Sequence, residues 1–129
     1  MLALQRYLIF TENLRIIRSL AMSLTKGVAL VTGAAQGIGR AIAIRLARDG
    51  FSLALNDLPV KKDALEDLAA ELQRGGASEG PYHPRTCIVT ADLTKEDDVK
   101  NMVDNAVGSL GSLDVVSSGA QWIIIELTA

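Results

Sequence analysis

The stretch VALVTGAAQGIGRAIAIRLARDG, residues 28–50, constrains this chain more than any other. Val28 to Thr32 form a compact β-rich run that ends at Gly33. Beyond the glycines, Ile38, Ile42 and Leu46 recur at helical spacing, and Arg48 with Gly50 supplies a helix stop. Gly33, Gly37 and Gly39 fall in a G-x-x-x-G-x-G spacing. A strand that turns directly into a helix needs residues tolerant of positive φ, and a bound diphosphate needs backbone approach with no Cβ between. The new helix then offers an anion its unpaired N–H groups and about half a unit of positive charge. A tight turn requires some glycine without any ligand. The residues that follow decide between the two uses.

Downstream the chain alternates strand and helix. FSLALN (51–56) is a second strand candidate. In VKKDALEDLAAELQRGG, Leu65, Leu68, Ala69 and Leu72 make one apolar face, and Gly75-Gly76 stop the helix. CIVTA (87–91) reads as the third strand. Thr94 and Asp97 then form a capping-box-like start to a helix buried through Val99, Met102, Val103 and Ala106. LDVV (113–116) is the fourth strand. Four strands and three helices in strict alternation predict an α/β, Rossmann-type doubly wound parallel sheet, here truncated, in the order 3-2-1-4. The one long connection, GGASEGPYHPRT (75–86), reads as an exposed loop.

Two carboxylates follow the glycines at informative places. Asp57 ends the second strand, where a doubly wound sheet places the adenosine ribose. A carboxylate there accepts from the 2′- and 3′-hydroxyls and repels a 2′-phosphate, which favours NAD over NADP. The competing use is a solvated turn aspartate. Asp92, just past the third strand, can accept from the adenine amino group while Leu93 packs on the ring. Its competing use is turn chemistry ahead of Thr94.

TGAAQGIG (32–39), Asp57, ADL (91–93) and LDVV (113–116), in this order and spacing, resemble the N-terminal half of a short-chain dehydrogenase/reductase. The resemblance runs from about Lys26 to Val116 and implies hydride transfer between NAD(P) and an alcohol or carbonyl. It implies that Gly33, Gln36 and Ile38, within the turn that Gly37 and Gly39 complete, line the pyrophosphate. Asp57 then binds the ribose, and Asp92 with Leu93 holds the adenine. Gln36 puts no basic residue before the second glycine, consistent with NAD. Where the family continues its fourth strand into Asn-Asn-Ala-Gly, this chain has Ser118, Gly119, Ala120 and Gln121. A small deletion or altered splice junction after Val116 is one account of that departure. The family's tyrosine, with a lysine four residues on, has no counterpart. Tyr7 and Tyr82 are followed at that distance by Thr11 and Thr86. No catalytic residue is therefore assigned, and the expectation is a nucleotide-binding half that does not catalyse alone. The alternatives are a non-catalytic binding or partner-pairing module and a truncated product without function.

Composition bounds the remaining classes. The 129 residues are 49% apolar and 22% charged, with a formal charge of −2. No basic stripe interleaves with aromatics, which argues against nucleic acid. No apolar run approaches the roughly 20 residues that span a bilayer. His83 is the sole histidine and Cys87 the sole cysteine, so neither a metal cluster nor an internal disulfide is indicated. Cys87 reads as a small strand residue. Residues 1–25 read as an extension to the domain at 26–129. The first 21 residues carry Arg6, Arg15 and Arg18 against Glu12 alone, a weak transit-peptide signal in a chain otherwise expected in the cytoplasm. An open fourth-strand edge is the expected surface for self-association.

Overall fold

The computed structural model describes residues 26–74 and 84–119. Four strands, β1 (Val28–Thr32), β2 (Ser52–Leu55), β3 (Thr86–Ile88) and β4 (Val115–Ser118), form one parallel sheet in the order β3-β2-β1-β4. Three helices alternate with them: α1 (Gly37–Arg48), α2 (Lys62–Arg74) and α3 (Glu96–Leu110). The expected topology is the observed one. Its register aligns Ala29 with both Leu53 and Val115, and Leu53 with Thr86.

Alternation along β1 divides the core. Ala29 and Val31 point to one face, with Leu53 and Leu55 of β2, and meet α1 and α2 through Ala43, Ala47, Leu65, Leu68 and Leu72. Val28 and Leu30 point to the other and meet α3 through Met102, Ala106 and Leu110. β1 is buried along its whole length, as a central parallel strand covered on both faces must be. Each fully buried leucine of this set contributes about 1.5–3 kcal/mol of transfer free energy.

The faces of α2 and α3 are those expected, but that of α1 is not. Its buried stripe is Gly39, Ala43 and Ala47, whereas Ile42 and Leu46 are only half-buried and Ile38 is 74% exposed. Small residues face the sheet because α1 starts so close to β1 that a larger side chain has no room. The isoleucines and leucine that mark the period sit on the flanks of the contact. Gly50 ends the helix with φ 101° and donates to Ala47 O at 3.1 Å.

Boundaries also move, and β2 is a residue shorter at each end than FSLALN. β3 is shorter than CIVTA, although its line of hydrogen bonds continues: Val89 N–H donates to Leu55 O and Ala91 N–H to Asp57 O. β4 begins two residues late because Asp114 works as an anchor, its Oδ2 accepting from Val28 N–H at 2.8 Å. Thr94 is not the cap of α3, for Lys95 occupies that position and makes no side-chain cap. The Thr94 hydroxyl donates instead to Asp92 Oδ1, and Asp98 rather than Asp97 reaches back, its Oδ2 accepting from Asp92 N–H at 3.0 Å. The expected N-terminal extension, the body of the loop with Tyr82 and His83, and the residues after Gly119 lie outside the described residues.

Candidate functional site

The carboxyl ends of β1 and β2 converge on the glycine turn, and two hydrogen bonds tie them together. Ala34 N–H donates to Asn56 O at 2.8 Å, and Ala35 N–H donates to Asp57 Oδ2 at 3.1 Å. The other Asp57 oxygen accepts from Leu58 N–H at 2.8 Å. Asp57 is thus a brace of the turn as well as an acceptor at its side. Each carboxylate oxygen has capacity for a second hydrogen bond, so the brace leaves room for ribose hydroxyls.

The turn itself is shaped for backbone approach. Gly33 and Gly37 adopt φ 65° and 61°, and a Cβ on Gly37 would meet nothing within 4 Å. Open space therefore lies in front of the first turn of α1, whose leading N–H groups have no partner within the helix. Gln36, Gly37 and Ile38 are exposed there. Gly39 has the opposite setting, because its Cβ would stand 2.1 Å from Gly33 O. It lets the helix rest on the turn and does not face outward. Gln36 precedes the helix in an extended conformation and makes no side-chain cap. Its Oε1 accepts from Lys61 Nζ at 3.3 Å, a contact that the sequence did not single out.

Asp92 stands further along the same edge of the sheet. Its Oδ1 accepts from both the Thr94 amide, at 3.0 Å, and the Thr94 hydroxyl, at 2.7 Å. These bonds hold the Asp92 carboxyl below the ordinary aspartate value, because they favour the charged form. The turn use of Asp92 is therefore present, and only Oδ2 remains for a ligand. Leu93 is half-buried against the α3 side of the core. Neighbouring Asn56 is buried; its Nδ2 donates to Val89 O at 2.8 Å, while Oδ1 has no partner among the described residues. Burial pushes the Cys87 thiol up, with Arg85 opposing in part, so this thiol stays protonated and inert at neutral pH. No group of His, Cys, Asp and Glu suited to a metal occurs among the described residues. No helix there is long and apolar enough to cross a membrane.

The fourth strand closes the site on its other side. Thr32 Oγ1 donates to Ser118 Oγ at 3.2 Å, and Gly119 N–H donates to Thr32 O at 2.9 Å. Ser118 and Gly119 thus do brace the sheet, by smaller groups than the asparagines of the family pattern.

A parallel sheet with a glycine turn between β1 and α1 and a carboxylate just past β2 defines the class of dinucleotide-binding α/β proteins. Residues 27–126 match the model of the short chain dehydrogenase family, and the chain belongs to that family. It is 45% identical over 93 residues to a short-chain dehydrogenase/reductase of Armillaria gallica, covering 72% of this chain and 33% of that one. Among solved structures it resembles an alcohol dehydrogenase of Thermococcus sibiricus complexed with 5-hydroxy-NADP, with 37% identity and a TM-score of 0.59. That likeness covers 70% of this chain and 35% of the other. It also resembles a 7α-hydroxysteroid dehydrogenase complexed with NADH and 7-oxo glycochenodeoxycholic acid, with 30% identity and a TM-score of 0.62. There the coverage is 72% and 33%. The chain spans about a third of the length of these relatives.

Proposed function

We propose that this chain binds NAD at the glycine turn and constitutes the nucleotide-binding half of a short-chain dehydrogenase acting on an alcohol or ketone. One observation carries the reading: the Asp57 carboxylate is hydrogen-bonded to the turn at Ala35, beside the exposed residues Gln36, Gly37 and Ile38 where α1 begins. A dinucleotide needs an anion cradle and a ribose acceptor side by side, and the open space in front of Gly37 fits a diphosphate. In this reading Gln36, Gly37 and Ile38 face the pyrophosphate, and Gly33 and Gly39 hold the turn beneath it. Asp57 accepts from the ribose, and Asp92 Oδ2 with Leu93 borders the adenine. When bound, the nicotinamide supplies the hydride chemistry. The chain's own residues bind and orient.

Proton transfer is a separate matter. Neither tyrosine of the sequence has a lysine four residues on, so the acid/base pair of the family pattern has no carrier in these 129 residues. The chain alone is accordingly expected to bind without turnover. The side of β4 that is unpaired among the described residues is the surface on which further strands or a second copy would pair.

Calorimetry with NAD and NADP, together with an NADH-linked assay on a panel of small ketones, tests both parts. Binding without turnover is the expected result. Turnover by the pure chain would refute the missing acid/base pair, and failure of folded protein to bind either nucleotide would remove the site. Asp57→Ala should weaken NAD by roughly tenfold or more, as the loss of hydrogen bonds to a charged acceptor implies. NADP should lose less, since the repulsion of its 2′-phosphate goes too.

A further inference from the structure

Asp57 opposes a 2′-phosphate by charge, and Gln36 offers no cation to offset it. The fold brings one from elsewhere. After Asp57 the chain passes Leu58 and makes a single 3-10 turn, Pro59–Lys61, with proline fixing the first φ. Lys61 N–H donates to Leu58 O at 2.8 Å, which closes that turn tightly. It returns Lys61 to the glycine loop, where the ammonium meets Gln36 Oε1 at 3.3 Å. The preceding residue of that loop, Ala35, is the one bonded to Asp57. A carboxylate and an ammonium therefore flank two consecutive residues of the cradle.

Lys61 is also uncommitted as a charge among the described residues. Its neighbour Lys62 pairs with Glu66 at 3.9 Å, and the other two ion pairs of the described residues are Arg40–Glu71 and Arg45–Asp49. Among the described residues the Lys61 ammonium meets the neutral amide oxygen of Gln36 and no carboxylate. A neutral acceptor is a weak partner for an ammonium, and a phosphate dianion would displace it readily.

We propose that Lys61 is a specificity-determining residue of the ribose pocket, which leaves Gln36 to pair with a 2′-phosphate and so lets the site take NADP beside NAD. This rests on the nucleotide-binding reading above and changes its selectivity. Asp57 sets the preference for NAD, and Lys61 narrows it. The lysine stem is long and its head is a point charge, so it can follow a phosphate without a fixed fork geometry.

Calorimetry on the full chain separates the possibilities, with NAD, NADP, 2′-AMP and 5′-AMP as ligands and Lys61→Met and Lys61→Arg as variants. Lys61→Met should weaken NADP and 2′-AMP roughly tenfold and leave NAD and 5′-AMP within about twofold. Lys61→Arg should restore most of the loss. The NADP affinity of the wild type should fall more steeply with salt than its NAD affinity, and Lys61→Met should erase that difference. An equal loss for both coenzymes would place Lys61 at the diphosphate or in the fold and overturn the proposal. So would an unchanged NADP affinity. NAD binding with no Lys61 effect sinks this inference alone, whereas a wild type that binds neither coenzyme sinks the site itself.

Discussion

Gly39 and Gly119 show how far a single missing Cβ reaches in this molecule. A Cβ on Gly119 would stand 2.5 Å from Gly39 Cα, 2.8 Å from Gly39 N and 2.9 Å from Thr32 O. All three neighbours are backbone, so none can rotate away. The end of β4 therefore rests directly on the first turn of α1, which rests in turn on Gly33. Gly119→Ala should cost about 1–3 kcal/mol in urea denaturation, the range for forcing extra volume into a packed site. It should also weaken NAD, because the shift falls on the cradle. Gly108→Ala is the control: that glycine lies within α3, and its Cβ would meet nothing within 4 Å. There the substitution should stabilise by about 0.5–1 kcal/mol through helix propensity, with NAD affinity unchanged. Equal effects at the two positions would mean that β4 does not press on α1 as described.

The elements divide by how local their causes are. β1, β2, α2 and the order of the sheet were legible because an apolar run, a 3.6-residue period or a glycine turn is written in consecutive residues. The buried face of α1 was not, because closeness to the sheet selects Gly39, Ala43 and Ala47 over the larger apolar residues that mark the period. The site divides in the same way. Glycine spacing announces the cradle, but the Asp57–Ala35 brace and the return of Lys61 depend on where β2 ends relative to β1. The start of α3 was misread because Thr94 serves Asp92 and not the helix. That bond has a pH signature. The Asp92 carboxyl lies below its ordinary value in the folded state, so its contribution to stability is fully present above the unfolded pKa near 4 and is lost as pH falls through the folded value. Thr94→Val should remove the hydroxyl donor and raise the Asp92 pKa in a carboxyl NMR titration. It should lower stability at neutral pH, where that contribution is fully present, flatten the profile as pH falls below about 4, and leave the fully protonated acid end nearly unaffected. An unmoved Asp92 titration would show that the hydroxyl does not hold the charge.

At the scale of the whole molecule the sheet is asymmetric. β1 is enclosed, while β4 pairs on one side only among the described residues and is half-exposed along its length. Val115 is 37% exposed, although parallel sheets normally bury both faces and pair their inner strands. The short edge on the β3 side differs in kind: β3 has three residues, all half-buried, and Arg85 before it donates to Ser109 O at 2.7 Å across to α3. β4 carries no such charged guard within the strand, since its residues are two valines and two serines. Unguarded edges recruit other strands. The pure chain should therefore associate with rising concentration in sedimentation velocity. Val115→Lys should weaken that association by about tenfold or more by placing a desolvated charge at the contact. Its register partner is Ala29, at the end of the sheet away from the glycine turn, so NAD affinity should not change. A wild type that stays monomeric at high concentration would remove the edge as a pairing surface. Association that Val115→Lys leaves intact would move the interface elsewhere on the molecule.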